Sequence, residues 1–224
     1  MSAATIGTES FANSPLPMMG LLALMALVPF AVVMVTSFSK MSVVLSLVRS
    51  ALGTQQAPPT VVLTGLATVL SVQVMAPVFE RSFSALKTTY ENRPTGAQVV
   101  AGLEPALAPL KQFLEKHGAT EERTRFLEMA RELRATAPES QVSEEDWTVV
   151  LPAFVITELK EAFTLGFLVF LPFLVVDMLV ANVLLALGMQ TLSPTQVSLP
   201  FKILLFVAVD GWSLLARGLI LGYR

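Results

Sequence analysis

Residues 10–39 contain no charged side chain, and the apolar run within them, residues 16–35, is about long enough to cross a bilayer as one helix, with Pro29 as its kink point. The next stretch, TSFSKMSVVLSLVRSAL (36–52), is helical by pattern. Phe38, Met41, Leu45 and Val48 share one face, and Ser42, Ser46 and Ser50 line another at the four-residue spacing that lets helix backbones approach closely. GTQQAPP (53–59) ends that helix, because glycine followed by two prolines cannot continue it, and residues 60–79 return as a second apolar helix. In the polar segment that follows, Leu107, Leu110 and Leu114 before Gly118 predict one short amphipathic helix, and Phe126, Met129, Ala130 and Leu133 predict another. Residues 151–187 form a long apolar helical run punctuated by Pro172. GMQTLSPTQVSLP (188–200) turns the chain into a last apolar run, SLPFKILLFVAVDGW (198–212).

The two turns can be laid over each other, LGTQQAPPTVV (52–62) on LGMQTLSPTQV (187–197), at a constant offset of 135. Two related helical hairpins account for this, and so does the reuse of glycine and proline at any helix tip, since the similarity fades on both sides. The pattern therefore predicts an all-α, membrane-associated chain in three parts. These are an apolar helix with the first hairpin (1–79), a small polar helical insert (80–147), and a second hairpin with a C-terminal helix (148–224).

Composition sharpens this picture. Hydrophobic residues make up 54% of the 224 and charged residues 14%, well outside the balance of soluble domains. Of the 32 Lys, Arg, Asp and Glu, 21 fall in residues 80–147, where their alternating signs read as a solvated face. The net charge of -2 argues against nucleic acid as a partner. The absence of cysteine removes disulfides and thiolate metal sites. Residues 1–17 hold no Lys or Arg, so the first apolar run lacks the basic flank of a secretory signal and reads as part of the mature protein.

The candidate chemistry lies in charges set among apolar residues: Arg49, Glu158, Asp177, Lys202 and Asp210. On one straight helix Lys202, Phe206 and Asp210 fall along a single stripe. As a lipid-facing span, the ten Leu, Ile, Phe and Val residues between 199 and 215 gain roughly 3 to 6 kcal/mol. The two charges cost roughly 5 to 7 kcal/mol near the bilayer centre. Such a segment needs protein around it, and pairing within the chain or between neighbouring copies supplies that. The alternative is that Asp177 and Asp210 carry protons or ions in a small-solute transporter built on broken helices.

The stretches LGTQQAPP, LPAFVITELKEAF (151–163), FLPFLVVDMLVANVLLALGM (170–189) and SLPFKILLFVAVDGW resemble, in order and separation, the export-gate core subunit of bacterial type III secretion. That is the R subunit of injectisomes, whose flagellar counterpart is FliP. The resemblance covers residues 36–79 and 150–216 and finds no signature in the insert. It implies a spiral homo-oligomeric ring of five copies, joined to the T and S subunits at the bacterial inner membrane, that conducts unfolded polypeptides. It also implies that the hairpins pack inside the assembly, and that the loop at 188–194 forms a gasket around the channel. Here the family's methionine run is reduced to Met189, Gln190 and Thr191, which makes the constriction more polar. The lack of a signal-like start tilts the resemblance toward the injectisome branch.

Catalytic chemistry is not written in this sequence: it has no H-E-x-x-H, G-x-S-x-G, phosphate-binding loop or dinucleotide fingerprint, and neither cofactor nor metal is expected. His117, the only histidine, stands where a helix C-cap is expected. Glu158 and Glu161 could mimic an acid–base pair, but Lys160 lies beside them and no second constellation supports that role. Lys40 and Arg49 on the first hairpin, against an insert of net charge -3, place the hairpin tip toward the cytoplasm and the insert on the periplasmic side.

Overall fold

The computed structural model describes residues 15–54, 57–90, 96–134, 142–189 and 191–224, and every regular element among them is an α-helix. The chain divides into two compact units, Met1–Met34 and Val35–Arg224. The described part of the first belongs to α1 (Pro15–Val35), which continues through Pro29. Met18, Leu22, Met25 and Phe30 are all exposed on it. A charge-free helix that is apolar all round is one that lipid or other protein must cover.

The second unit is built from seven helices among the described residues. α2 (Phe38–Leu52) and α3 (Thr60–Tyr90) form the first hairpin. α4 (Gly96–His117) and α5 (Thr120–Leu133) come from the polar segment. α6 (Trp147–Ala186), α7 (Pro194–Ala208) and α8 (Gly211–Leu221) complete the chain. α2 packs chiefly on α6, and α3 on α4. Met41, Val44, Leu45 and Val48 of α2 meet Leu63, Ala67 and Met75 of α3 and Phe154 of α6 in one core. The buried face of α2 keeps Met41, Leu45 and Val48 of the predicted one, adds Lys40, Val44, Ala51 and Leu52, and leaves Phe38 half-buried, while Ser46 and Ser50 face outward and donate to the carbonyls four residues back.

Three elements differ from the sequence expectation. α3 runs eleven residues beyond position 79, through Pro77 and into charged sequence, because α4 packs along it. The insert is not a separate aqueous layer: Phe113 and Leu114 of α4 enter the main core, and only Leu127 with Val142 and Val149 forms a small cluster of its own. The last apolar run is not one helix. α7 ends at Ala208, Asp210 takes a left-handed conformation (φ 51°), and α8 leaves at 61° to α7. Gly211 makes the break feasible, since a Cβ there would lie 2.2 Å from the Phe206 ring. The stripe of Lys202, Phe206 and Asp210 is thereby broken, with the first two buried and Asp210 exposed.

α6 is the longest element, and its 40 residues span about 60 Å, twice the roughly 30 Å of a bilayer's hydrocarbon core. Its first half is buried through Val150, Phe154, Glu158 and Ala162. Its second half exposes Phe167, Val175, Met178, Leu179 and Val183. By length and composition three described helices could cross a membrane, or up to four if α7 and α8 count as one bent span.

Candidate functional site

Two ionic clusters organise the second unit. In the first, Lys40 projects from α2 into the core, only 3% exposed, and its Nζ lies 3.0 Å from Glu158 Oε1 and 2.5 Å from Glu161 Oε2 of α6. The same ammonium stands 4.2 Å from the centre of the Tyr223 ring, and the Tyr223 hydroxyl donates to Glu158 Oε2. Glu158 is fully buried and Glu161 half exposed, so one carboxylate depends wholly on Lys40 and Tyr223 while water shares the other. Burial, then the Glu158 charge, pushes the Tyr223 hydroxyl up, which keeps it a donor.

His117 lies against this cluster, its ring 5.0 Å from that of Tyr223 and 4.6 Å from that of Phe113. Burial, reinforced by Lys116 and Lys40, pulls its imidazole down to about 4, against a smaller opposing pull from Glu161. Lys160 turns the other way and pairs with the buried Glu122 of α5. The hydrogen bond from Lys160, with Arg125 adding to it, holds that carboxyl below its usual range. Glu158 and Glu161 are therefore two ligands of one ammonium and not an acid–base pair.

The second cluster joins the hairpins. Lys202 of α7, 2% exposed, sits 2.6 Å from Asp177 Oδ2 of α6 and donates to the Ala51 carbonyl of α2 at 3.2 Å. Ser198 donates to Asp177 Oδ1. Gly53, with φ 76°, makes the first tip beside Lys202, and the aligned Gly188 (φ 70°) makes the second tip with open space around it.

Of the five charges singled out from the sequence, only Asp177 and Lys202 meet each other. Glu158 finds Lys40, a partner that periodicity gave no means of choosing. Arg49 donates to the Thr60 hydroxyl at 2.9 Å, and neither it nor Asp210 forms an ion pair among the described residues. At the second tip Met189 and Thr191 are exposed, flanked by exposed Leu187 and Leu192, and Gln190 lies outside the described residues. The two leucines add apolar surface to the tip beyond Met189, Gln190 and Thr191.

Comparison with known proteins places this arrangement. The chain is 43% identical over 201 residues to the hypersensitivity response secretion protein HrcR of Ralstonia nicotianae, covering 89% of this chain and 93% of that protein. It is 41% identical over 202 residues to the Yop proteins translocation protein R of Yersinia pestis, covering 90% and 93%. With the flagellar biosynthetic protein FliP of Caulobacter vibrioides it shares 41% identity over 209 residues, covering 92% and 76%. The profile described as the FliP family matches residues 21–219, so the likeness runs through the polar insert, which offered no motif by itself. A match of that extent, with relatives alike over nine-tenths of the chain, makes this chain a member of the FliP family.

Proposed function

We propose that this chain is a core subunit of the type III secretion export gate, part of the channel through which unfolded polypeptides leave the bacterial cytoplasm. The observation that carries this reading is the match over residues 21–219 to a family whose relatives are named for secretion and translocation. The physical surface supports it. α6 is longer than one perpendicular bilayer crossing needs, and its second half, with α7 and α8, exposes Phe167, Val175, Leu179, Leu204, Val207 and Leu214, apolar side chains of the kind that lipid or other protein covers. Neighbouring subunits at the bacterial inner membrane are the covering this reading assigns, five copies of the chain together with the T and S subunits, with the insert on the periplasmic side.

Within that assembly Arg49 and Asp210, which form no ion pair among the described residues, pair with charges of adjacent subunits. The tip around Met189 and Thr191, widened by Leu187 and Leu192, lines the constriction. Flexible and branched apolar side chains together seal around chains of differing shape. For the transporter reading, Asp177 is the critical residue, and its contact with Lys202 speaks for a neutralised structural pair over a free proton carrier.

Two measurements test the proposal. Gentle extraction of the tagged chain should bring down two further hydrophobic proteins in fixed ratio, and a lone active homo-oligomer would refute it. Met189→Ala, alone and with Leu187→Ala, should raise leakage of small solutes through the resting gate; unchanged leakage and secretion in both would remove the tip from the seal.

A further inference from the structure

Between α3, α4 and the tail beyond α8 lies a cavity of about 320 Å³. Arg81, Lys116 and Arg224 line it, and no carboxylate side chain does. Among the described residues none of the three forms an ion pair with an acidic side chain. Lys116 donates to the main-chain oxygen of Arg224 at 3.3 Å, so its ammonium is partly engaged at the cavity wall. His117 borders the cavity as a neutral ring and contributes no charge.

The rest of the lining has the opposite character. Val74, Val78 and Arg81 follow one another along one face of α3 at spacings of four and three residues, and Ile220 of α8 lines the same cavity. The cavity is therefore amphiphilic along a single helix face, hydrocarbon-lined at one end and cationic at the other. Arg81 also marks the point where the apolar run of α3 gives way to charged sequence. A fully hydrated inorganic anion gains little from the valine wall, whereas a phosphodiester carrying hydrocarbon uses both ends.

We propose that this cavity binds a phosphate-bearing anion, with the headgroup of an anionic phospholipid as its occupant. The guanidinium groups take the phosphate oxygens through paired N–H donors, and the first carbons of the acyl chains lie against Val74, Val78 and Ile220. The assignment goes beyond the secretion reading and does not depend on it, since it concerns only this chain and its surrounding lipid.

The test is native mass spectrometry of the full-length chain in detergent, supplied with phosphatidylglycerol or phosphatidylcholine, with inorganic phosphate as a separate arm. The wild type should retain phosphatidylglycerol in preference to phosphatidylcholine. Arg81→Ser and Arg224→Ser should each lower that retention about fivefold, while Arg81→Lys keeps most of it. Arg81 is exposed, so these variants should keep their helical circular dichroism. Inorganic phosphate that displaces the lipid, or that protects the wild type from thermal unfolding but not the serine variants, would support the phosphate chemistry with a free ion as its source. Equal retention of the two lipids, or folded serine variants holding phosphatidylglycerol as well as the wild type with no effect of phosphate, overturns the proposal.

Discussion

Glu158 and Lys40 are the residues with most at stake, because each is buried where water cannot replace the other. Removing one partner of such a pair typically costs about 3–5 kcal/mol, while replacing both by apolar side chains of similar volume is far less harmful. Glu158→Ala should therefore lower the thermal midpoint of the detergent-solubilised protein sharply, and Lys40→Met with Glu158→Leu should recover most of it. A single variant as stable as the wild type would show that the contact holds nothing together. His117 adds a pH dependence with a definite sign. Its imidazole titrates near 6.5 when unfolded and about 4 in the fold, so between those values the unfolded chain binds more protons. Its contribution is complete above pH 6.5 and is lost as pH falls toward 4. His117→Gln should flatten the decline in stability across that window; an unaltered slope would assign the acid sensitivity to other groups.

At the scale of elements, the break between α7 and α8 is where local chemistry is most demanding. Phe206 fills the space that a Cβ on residue 211 would need and touches Trp212 edge-on, with ring centres 5.1 Å apart. Gly211→Val should cost about 1–3 kcal/mol through overpacking, and Phe206→Ala in the same chain should relieve part of that cost. Unfolding midpoints of the two single variants and the double variant measure the coupling, and strictly additive losses would mean the ring does not set the bend. Sequence periodicity could not reveal this break: nothing in ILLFVAVDGW interrupts a helix as plainly as Pro58 and Pro59 do the first hairpin. The left-handed Asp210 and the packing of Phe206 on Gly211 became visible only with the backbone placed. The two tips, by contrast, were legible, because glycine at 53 and 188 supplies the positive φ that other residues adopt at a cost.

For the whole molecule, Asp210, which forms no ion pair among the described residues and lies on an apolar exposed surface, carries the expectation of assembly. Asp210→Lys should leave the isolated chain as helical as the wild type but shift the purified complex to smaller sizes on gel filtration. Restored size when a cationic residue of a neighbouring subunit is reversed in turn would identify the contact. A complex of unchanged size would take Asp210 out of the interface.

The sequence by itself determined that this chain is helical and apolar, where its hairpin tips lie, and that several charges need protein around them, because helix periodicity, proline and glycine act within a few residues. It also carried the family resemblance, in motifs that lie along the chain. Only the tertiary structure decided which charges meet. Lys40 with Glu158, Lys202 with Asp177 and the Ala51 carbonyl, and Arg81, Lys116 and Arg224 around one cavity are juxtapositions of segments far apart in sequence. No spacing rule connects such residues, since their approach depends on how whole helices bury their apolar faces against one another.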